Sequence, residues 1–254
     1  MNSIVKITLV VLGCAAAPAV VIYHYRTNAT TLPAHAVIAR DRSESVLTDC
    51  RCTEALVEEA LKVPNMGRGS KLTIIANGDK PTADEPLLIG SYNVPTSRRV
   101  VEGRNATQHK QDALLADVKS KCESLPVTTR SPIVLMIRRG IERLQQLGCN
   151  SASGCVLYVQ TDAEETAEAQ VKKLLESGRS GKPVASEPLI DNEGICIVFY
   201  GLSQTAGERE TRDGRRQRFT RGRNTMRAEQ LREAWLSVFS DRERVRFEPF
   251  CPTN

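Results

Sequence analysis

Aromatic residues make up only 4% of this 254-residue chain, with one tryptophan among them. That is too few for a platform on which the bases of single-stranded nucleic acid could stack. Histidine is scarcer still. His24, His35 and His109 lie far apart and none is near a candidate nucleophile, so neither a Ser-His-Asp triad nor a histidine-ligated metal is supported. No C-x-x-C pair occurs, which disfavours a zinc ribbon. No G-x-x-x-x-G-K-S/T string occurs, which disfavours P-loop nucleotide hydrolysis. There is no internal repeat.

What is present begins with charge. The formal net charge is +5, and it is concentrated. Between Gly207 and Arg227 stand eight arginines (Arg209, Arg212, Arg215, Arg216, Arg218, Arg221, Arg223 and Arg227) against Glu208, Glu210 and Asp213. That window carries the whole excess, so the rest of the chain is neutral. A basic segment of this kind serves as a docking surface for an acidic partner, an anionic head group or nucleic acid, or it is a solvated loop with no partner. Hydrophobic residues make up 41%, enough to bury a core.

Eight cysteines are many for a cytosolic chain of this size. Cys14 lies in an apolar leader, and seven remain in the body. Disulfides in an oxidising compartment fit this count, with at least one thiol left over. Buried apolar cysteine is the alternative for Cys196, which sits in an apolar run. Ile7 to Tyr23 is free of charge and as a helix would span roughly 25 Å. Four readings stand: a single-pass anchor, a cleaved signal with small residues at Ala15-Ala16-Ala17, a lipoprotein signal ending at Cys14, and, least favoured, a soluble core helix. Flanking charge does not fix the orientation, but the cysteines favour a body outside the cytoplasm. The expected organisation is a hydrophobic segment over 1–26, a linker over 27–35 and one domain over 36–254, with 207–227 as an Arg-rich insertion. Asn28-Ala29-Thr30 and Asn105-Ala106-Thr107 fit the glycosylation sequon.

From Ala36 onward strands and helices alternate. Strands are expected at Ala36–Asp41, Lys71–Ala76, Pro86–Val94, Cys155–Thr161, Gly194–Tyr200 and Val245–Phe250. Helices are expected at Val46–Val63, Thr107–Cys122, Ser131–Leu147 with Pro132 in its first turn, Ala163–Ser177 closed by Gly178, and Thr225–Ser240. Asn77-Gly78-Asp79 reads as a turn between an antiparallel pair. Alternation of this kind implies an α/β fold with a largely parallel sheet covered on both faces.

In such a sheet, ligands bind beyond the carboxyl ends of the strands. Those ends carry Asp41-Arg42-Ser43-Glu44-Ser45, then Thr128, Thr129 and Ser131, then Thr161-Asp162. Carboxylates and hydroxyls are hard oxygen donors that suit Mg²⁺ or Mn²⁺. The plainer alternative is a serine-rich helix start in which Ser43 or Ser45 caps the helix from Val46. Asp41 begins a D-x-S string, not D-x-D, and so lacks the general acid of a haloacid dehalogenase type phosphatase.

Asp41-x-Ser43-x-Ser45, a later threonine and Thr161-Asp162 resemble the von Willebrand factor type A (VWA) domain and its metal-ion-dependent adhesion site. The order of elements from Ala36 to Phe250 is similar too. The resemblance implies a doubly wound, mostly parallel six-stranded sheet with one antiparallel edge strand and helices on both faces, here preceded by an N-terminal hydrophobic helix. It implies a Mg²⁺ (or Mn²⁺) held by Asp41, Ser43, Ser45, Thr129 and Asp162, with Ser131 as the alternative to Thr129. Glu44 and Ala163 stand where most members have glycine. The implied role is recognition, without catalysis, of a protein partner that presents an acidic residue, by a domain tethered to the membrane. The other reading open at this point is a nucleic-acid-binding or anionic-surface-binding protein that uses the Arg-rich segment, and a VWA scaffold without metal is a third. Nucleic acid is the less favoured partner.

Overall fold

A computed structural model describes residues 32–43, 50–78, 86–95, 104–128, 130–151, 153–163, 165, 167–179, 187–201, 209–210, 216–217 and 221–248. For 104–105, 178–179, 209–210, 216–217 and 221–228 it describes the backbone alone. The chain divides into two compact units after Leu32, and every strand and helix of the sheet domain belongs to the second. The N-terminal hydrophobic segment lies outside the described residues. Among the described residues, no helix is long and apolar enough to cross a membrane.

Strand β1 (Ala36–Arg40) is followed by α1 (Arg51–Leu61), β2 (Lys71–Ala76), β3 (Leu87–Asn93), α2 (Arg104–Glu123), α3 (Ile133–Gln146), β4 (Val156–Gln160), α4 (Ala169–Arg179) and β5 (Cys196–Tyr200). A two-residue ladder, β6 (Arg209–Glu210) with β7 (Arg216–Gln217), precedes α5 (Arg221–Leu236), and β8 (Val245–Glu248) is last. The six-stranded sheet has the order β3-β2-β1-β4-β5-β8. All its pairings are parallel except that of β2 with β3 at the edge, which carries a bulge at Ile74/Ile75. The expected fold class is the one observed, and a sheet of this order fits a VWA-like fold.

Alternation along the central strands sorts the core into two faces. Val37, Ala39, Leu157, Val159, Ile197 and Phe199 pack on α3, α4 and α5. Ala36, Ile38, Tyr158, Val198 and Tyr200 pack on α1 and α2. Helix α3 shows why its sequence folds this way. Ile133, Val134, Ile137, Ile141 and Leu144 recur at helical spacing and are all buried, each contributing about 1.5–3 kcal/mol. Gly140 lets α3 press onto β4, because a Cβ there would come within 2.6 Å of Leu157 Cδ1. Gly148 ends the helix at φ +85°, a conformation glycine adopts without strain. The scarce aromatics are pooled: Phe199 lies 5.3 Å from Trp235 and 4.9 Å from Phe247, centroid to centroid, and each such pair adds about 0.5–1.5 kcal/mol.

Several expectations need correction. Helix α4 begins at Ala169, six residues later than expected, and runs through Gly178 to Arg179, because the stretch after Asp162 is spent in a turn. Helix α5 begins at Arg221, inside the Arg-rich window. With the β6–β7 ladder, part of that window is regular structure rather than a bare insertion. Pro132 stands just before α3, at its N-cap, and not within its first turn. Helix α1 starts after Cys50, too far along for Ser43 to cap it. Residues 44–49 lie outside the described set.

Two disulfides clip the domain, Cys50–Cys122 and Cys149–Cys155, and Cys52 is also disulfide-bonded. Cys196 is the free cysteine among the described residues. Burial pushes its thiol pKa up, which makes it a poor nucleophile.

Candidate functional site

Strands β1 and β4 are neighbours, and the chain leaves them in opposite directions, β1 toward β2 and β4 toward β5. This is the switch point of a doubly wound sheet, where ligands bind beyond the carboxyl ends. Here β1 runs into Asp41-Arg42-Ser43 instead of a glycine-rich phosphate loop. The ladder continues one step past the strands, with Asp41 N–H donating to Gln160 O at 2.8 Å.

Asp41 is fully buried, and its carboxylate is the centre of the site. Oδ1 accepts from Ser43 N–H at 2.9 Å and from Asn77 Nδ2 at 3.2 Å. Oδ2 accepts from Ser131 Oγ at 2.7 Å and from Thr161 Oγ1 at 2.8 Å. Four donors from four chain segments thus meet one carboxylate, which is what a buried carboxylate requires. A buried bridge pairs Ser43 with Thr128, with Thr128 N–H donating to Arg42 O at 2.9 Å.

The other strand end is shaped by a turn. Thr161 Oγ1 also accepts from Ala163 N–H at 3.0 Å. Ala163 sits at φ +64°, the left-handed region that costs an alanine about 1 kcal/mol. It is held there partly by Trp235, whose Nε1 donates to Ala163 O at 3.0 Å. The glycine that the resemblance leads one to expect at this position is thus replaced by an alanine in glycine's conformation. Glu165 is buried and ties the turn to two helix starts. Its Oε2 accepts from Val134 N–H at 2.8 Å, and its Oε1 accepts from Ala167 N–H at 2.6 Å and Glu168 N–H at 3.1 Å. A carboxylate at a helix start also meets the positive end of the helix dipole.

Of the expected site residues, Asp41 and Ser43 lie together, and Asp162 is buried beside Thr161 at the adjacent strand end. Ser45 and Thr129 lie outside the described residues. Ser131, the alternative hydroxyl, donates directly to Asp41. The sequence reading missed Asn77, taken for a turn residue, and Glu165. The register could have exposed Asn77: Arg40 pairs with Ala76 across the parallel strands, so the next residue in each, Asp41 and Asn77, must meet. Glu165 offered no signal beyond being an acid before a helix.

The set is one of hard oxygens. Among the described residues, no group of three or more His, Cys, Asp or Glu could hold a metal ion, so any ion here would depend on hydroxyl donors. A hydroxyl would ligate a cation through an oxygen lone pair with its O–H turned to another acceptor, and the O–H of Ser131 donates to Asp41 Oδ2. Elsewhere along this edge, burial pushes the Tyr200 hydroxyl up to about 12, so it stays neutral near pH 7.

No protein-family model matches the chain, and no curated protein matches it. Among solved structures it is similar to a conserved hypothetical protein BatB from Bacteroides thetaiotaomicron. Identity is 15%, coverage is 85% of this chain and 91% of that one, and the TM-score is 0.33. It is also similar to an aerotolerance-related membrane protein from Bacteroides fragilis, at 16% identity, 85% and 90% coverage and a TM-score of 0.36. Likeness of this degree identifies neither a family nor an activity.

Proposed function

We propose that this chain is a membrane-tethered, non-catalytic recognition domain that binds Mg²⁺ or Mn²⁺ at the switch point of its sheet and offers the ion to a partner's carboxylate. The observation that carries the reading is the Asp41 carboxylate, buried between two strand ends and saturated by hydroxyl and amide donors. Asp41, Ser43, Ser45 and Asp162, with a hydroxyl from Thr129 or Ser131, would hold the ion, and the ion would supply an open position for an anionic oxygen. The chain's own residues do the rest. Asp41 orients the hydroxyls, and Thr161 fixes the turn that carries Asp162. The Arg-rich segment follows β5 in the chain, and its positive charge would favour an acidic partner. The disulfides support a body in an oxidising compartment, which agrees with a tether through residues 1–26.

Titration calorimetry of the full chain with MnCl₂ and MgCl₂ tests the site. The expected result is saturable binding in the parent chain, lost in Ser43→Ala and Asp162→Ala, which leave the Asp41 centre in place. Absence of binding in the parent would sink the reading. Cross-linked pull-down with and without chelator then tests the partner, whose capture should depend on the ion.

A further inference from the structure

We infer that Asn77 is the positioning residue of this site: it locks the segment carrying Ser131 against the Asp41–Ser43 turn, and so sets the spacing of the oxygen donors. The inference rests on the proposed metal-binding role. Asn77 directly follows β2, is 1% exposed, and extends a strand that supplies none of the proposed ligands. Its Oδ1 accepts from Arg42 N–H at 2.7 Å. Its Nδ2 faces Asp41 Oδ1 at 3.2 Å, Thr128 Oγ1 at 2.7 Å and Arg130 O at 2.6 Å. One side chain thus touches both loops and the central carboxylate.

The chemistry of the position admits few substitutes. It needs an acceptor for a backbone N–H and, on the same planar group, a donor for a carboxylate and a carbonyl. A carboxamide supplies both, whereas a carboxylate supplies only acceptors. Its length matters too, since the amide must reach Arg42 on one side and Arg130 on the other. Other ties between the two loops include Thr128 N–H to Arg42 O, the Arg42 guanidinium to Leu125 O and Ser131 Oγ to Asp41. Removal of Asn77 therefore leaves Ser131 on a segment held by fewer bonds, beside a carboxylate that has lost one donor. Partners that orient metal ligands in this way typically govern about 10–100-fold in metal affinity.

The test uses the full chain, Asn77→Ala and Asn77→Asp, with two readouts: MnCl₂ titration, and hydrogen exchange at the amides of Arg42 and Thr128. Asn77→Ala should weaken Mn²⁺ binding by about 10–100-fold. It should also speed exchange at both amides while those of β4 and β5 hold. Asn77→Asp keeps the acceptor for Arg42 but loses the donor. It should therefore restore protection at Arg42, leave Thr128 fast and bind Mn²⁺ weakly. It also decides the matter if Asn77→Ala fails to fold. Parent-like Mn²⁺ affinity in the foldable variant overturns the inference, whatever the exchange shows. If the parent itself binds no Mn²⁺, the metal reading falls separately, and the exchange still decides: parent-like protection at Thr128 overturns the role of Asn77, and its loss upholds it.

Discussion

The two ends of the sheet solve the same problem with different materials. Each holds a buried titratable side chain beside β1 and a disulfide nearby. At the amino end, His35 Nδ1 accepts from the Lys71 backbone N–H at 3.0 Å, His35 N–H reaches Cys155 Sγ at 3.3 Å, and Cys149–Cys155 closes the corner. At the carboxyl end, Asp41 is satisfied mostly by side chains drawn from three other segments, and Cys50–Cys122 joins the start of α1 to the end of α2. Backbone donors come with the fold and persist under substitution. Side-chain donors must be supplied residue by residue, so each can be lost to a single substitution. The end rich in side-chain donors is also the one beyond the carboxyl ends of the strands, where ligands bind in doubly wound sheets and where the proposed site lies.

The largest expected effect lies in the disulfides. Cys50–Cys122 spans 72 residues and Cys149–Cys155 spans 6. Loop-closure entropy assigns them about 4 and about 2 kcal/mol. Urea unfolding of Cys50→Ser/Cys122→Ser and Cys149→Ser/Cys155→Ser should show that order, and equal losses would erase the distinction between the two ends. A middling effect is expected with pH at the amino end. Burial, and secondarily the charge of Lys71, hold the His35 pKa below its ordinary 6.5. Between that value and the lowered one, the unfolded chain takes up a proton that the folded chain refuses. Stability should fall as pH drops below about 6.5, then level off beneath the folded pKa. Thermal unfolding of His35→Asn, which keeps an acceptor but cannot titrate, should lose that part of the slope; an unchanged slope would show that His35 does not carry it. The smallest effect is at Ala163. Relief at φ +64° should offset the lost methyl burial, leaving Ala163→Gly within about 0.5 kcal/mol of the parent. Ala39→Gly in β1 should cost more than about 1 kcal/mol. Equal costs at the two positions would mean that the turn after Asp162 carries no strain.

Much of the fold could be read from the chain because its strands are short, apolar and bounded. Lys71–Ala76 matches its expected limits, and the antiparallel pair of β2 and β3 follows from two such runs joined by a turn signal. The start of α4 was misplaced because Ala163, Glu165 and Ala167 are good helix formers locally. What overrides them is tertiary: the Trp235 bond to Ala163 O and the capture of Val134 N–H by Glu165. The start of α5 was missed because arginine-rich sequence looks solvated whether or not it is helical. At the site, Asp41, Ser43 and the Thr161-Asp162 pair were legible as polar residues at strand ends. Asn77 was not, because Asn-Gly is also the commonest turn signal, and only strand order reveals its neighbour.

The hydrogen bond from Trp235 to Ala163 O has a practical sequel. The chain has no other tryptophan, and this indole is buried within the aromatic cluster while its N–H touches the turn after Asp162. The molecule therefore carries its own optical probe. Any event that shifts that turn changes the polarity and bonding of the single indole, so such a shift can be followed by selectively excited tryptophan fluorescence without a label.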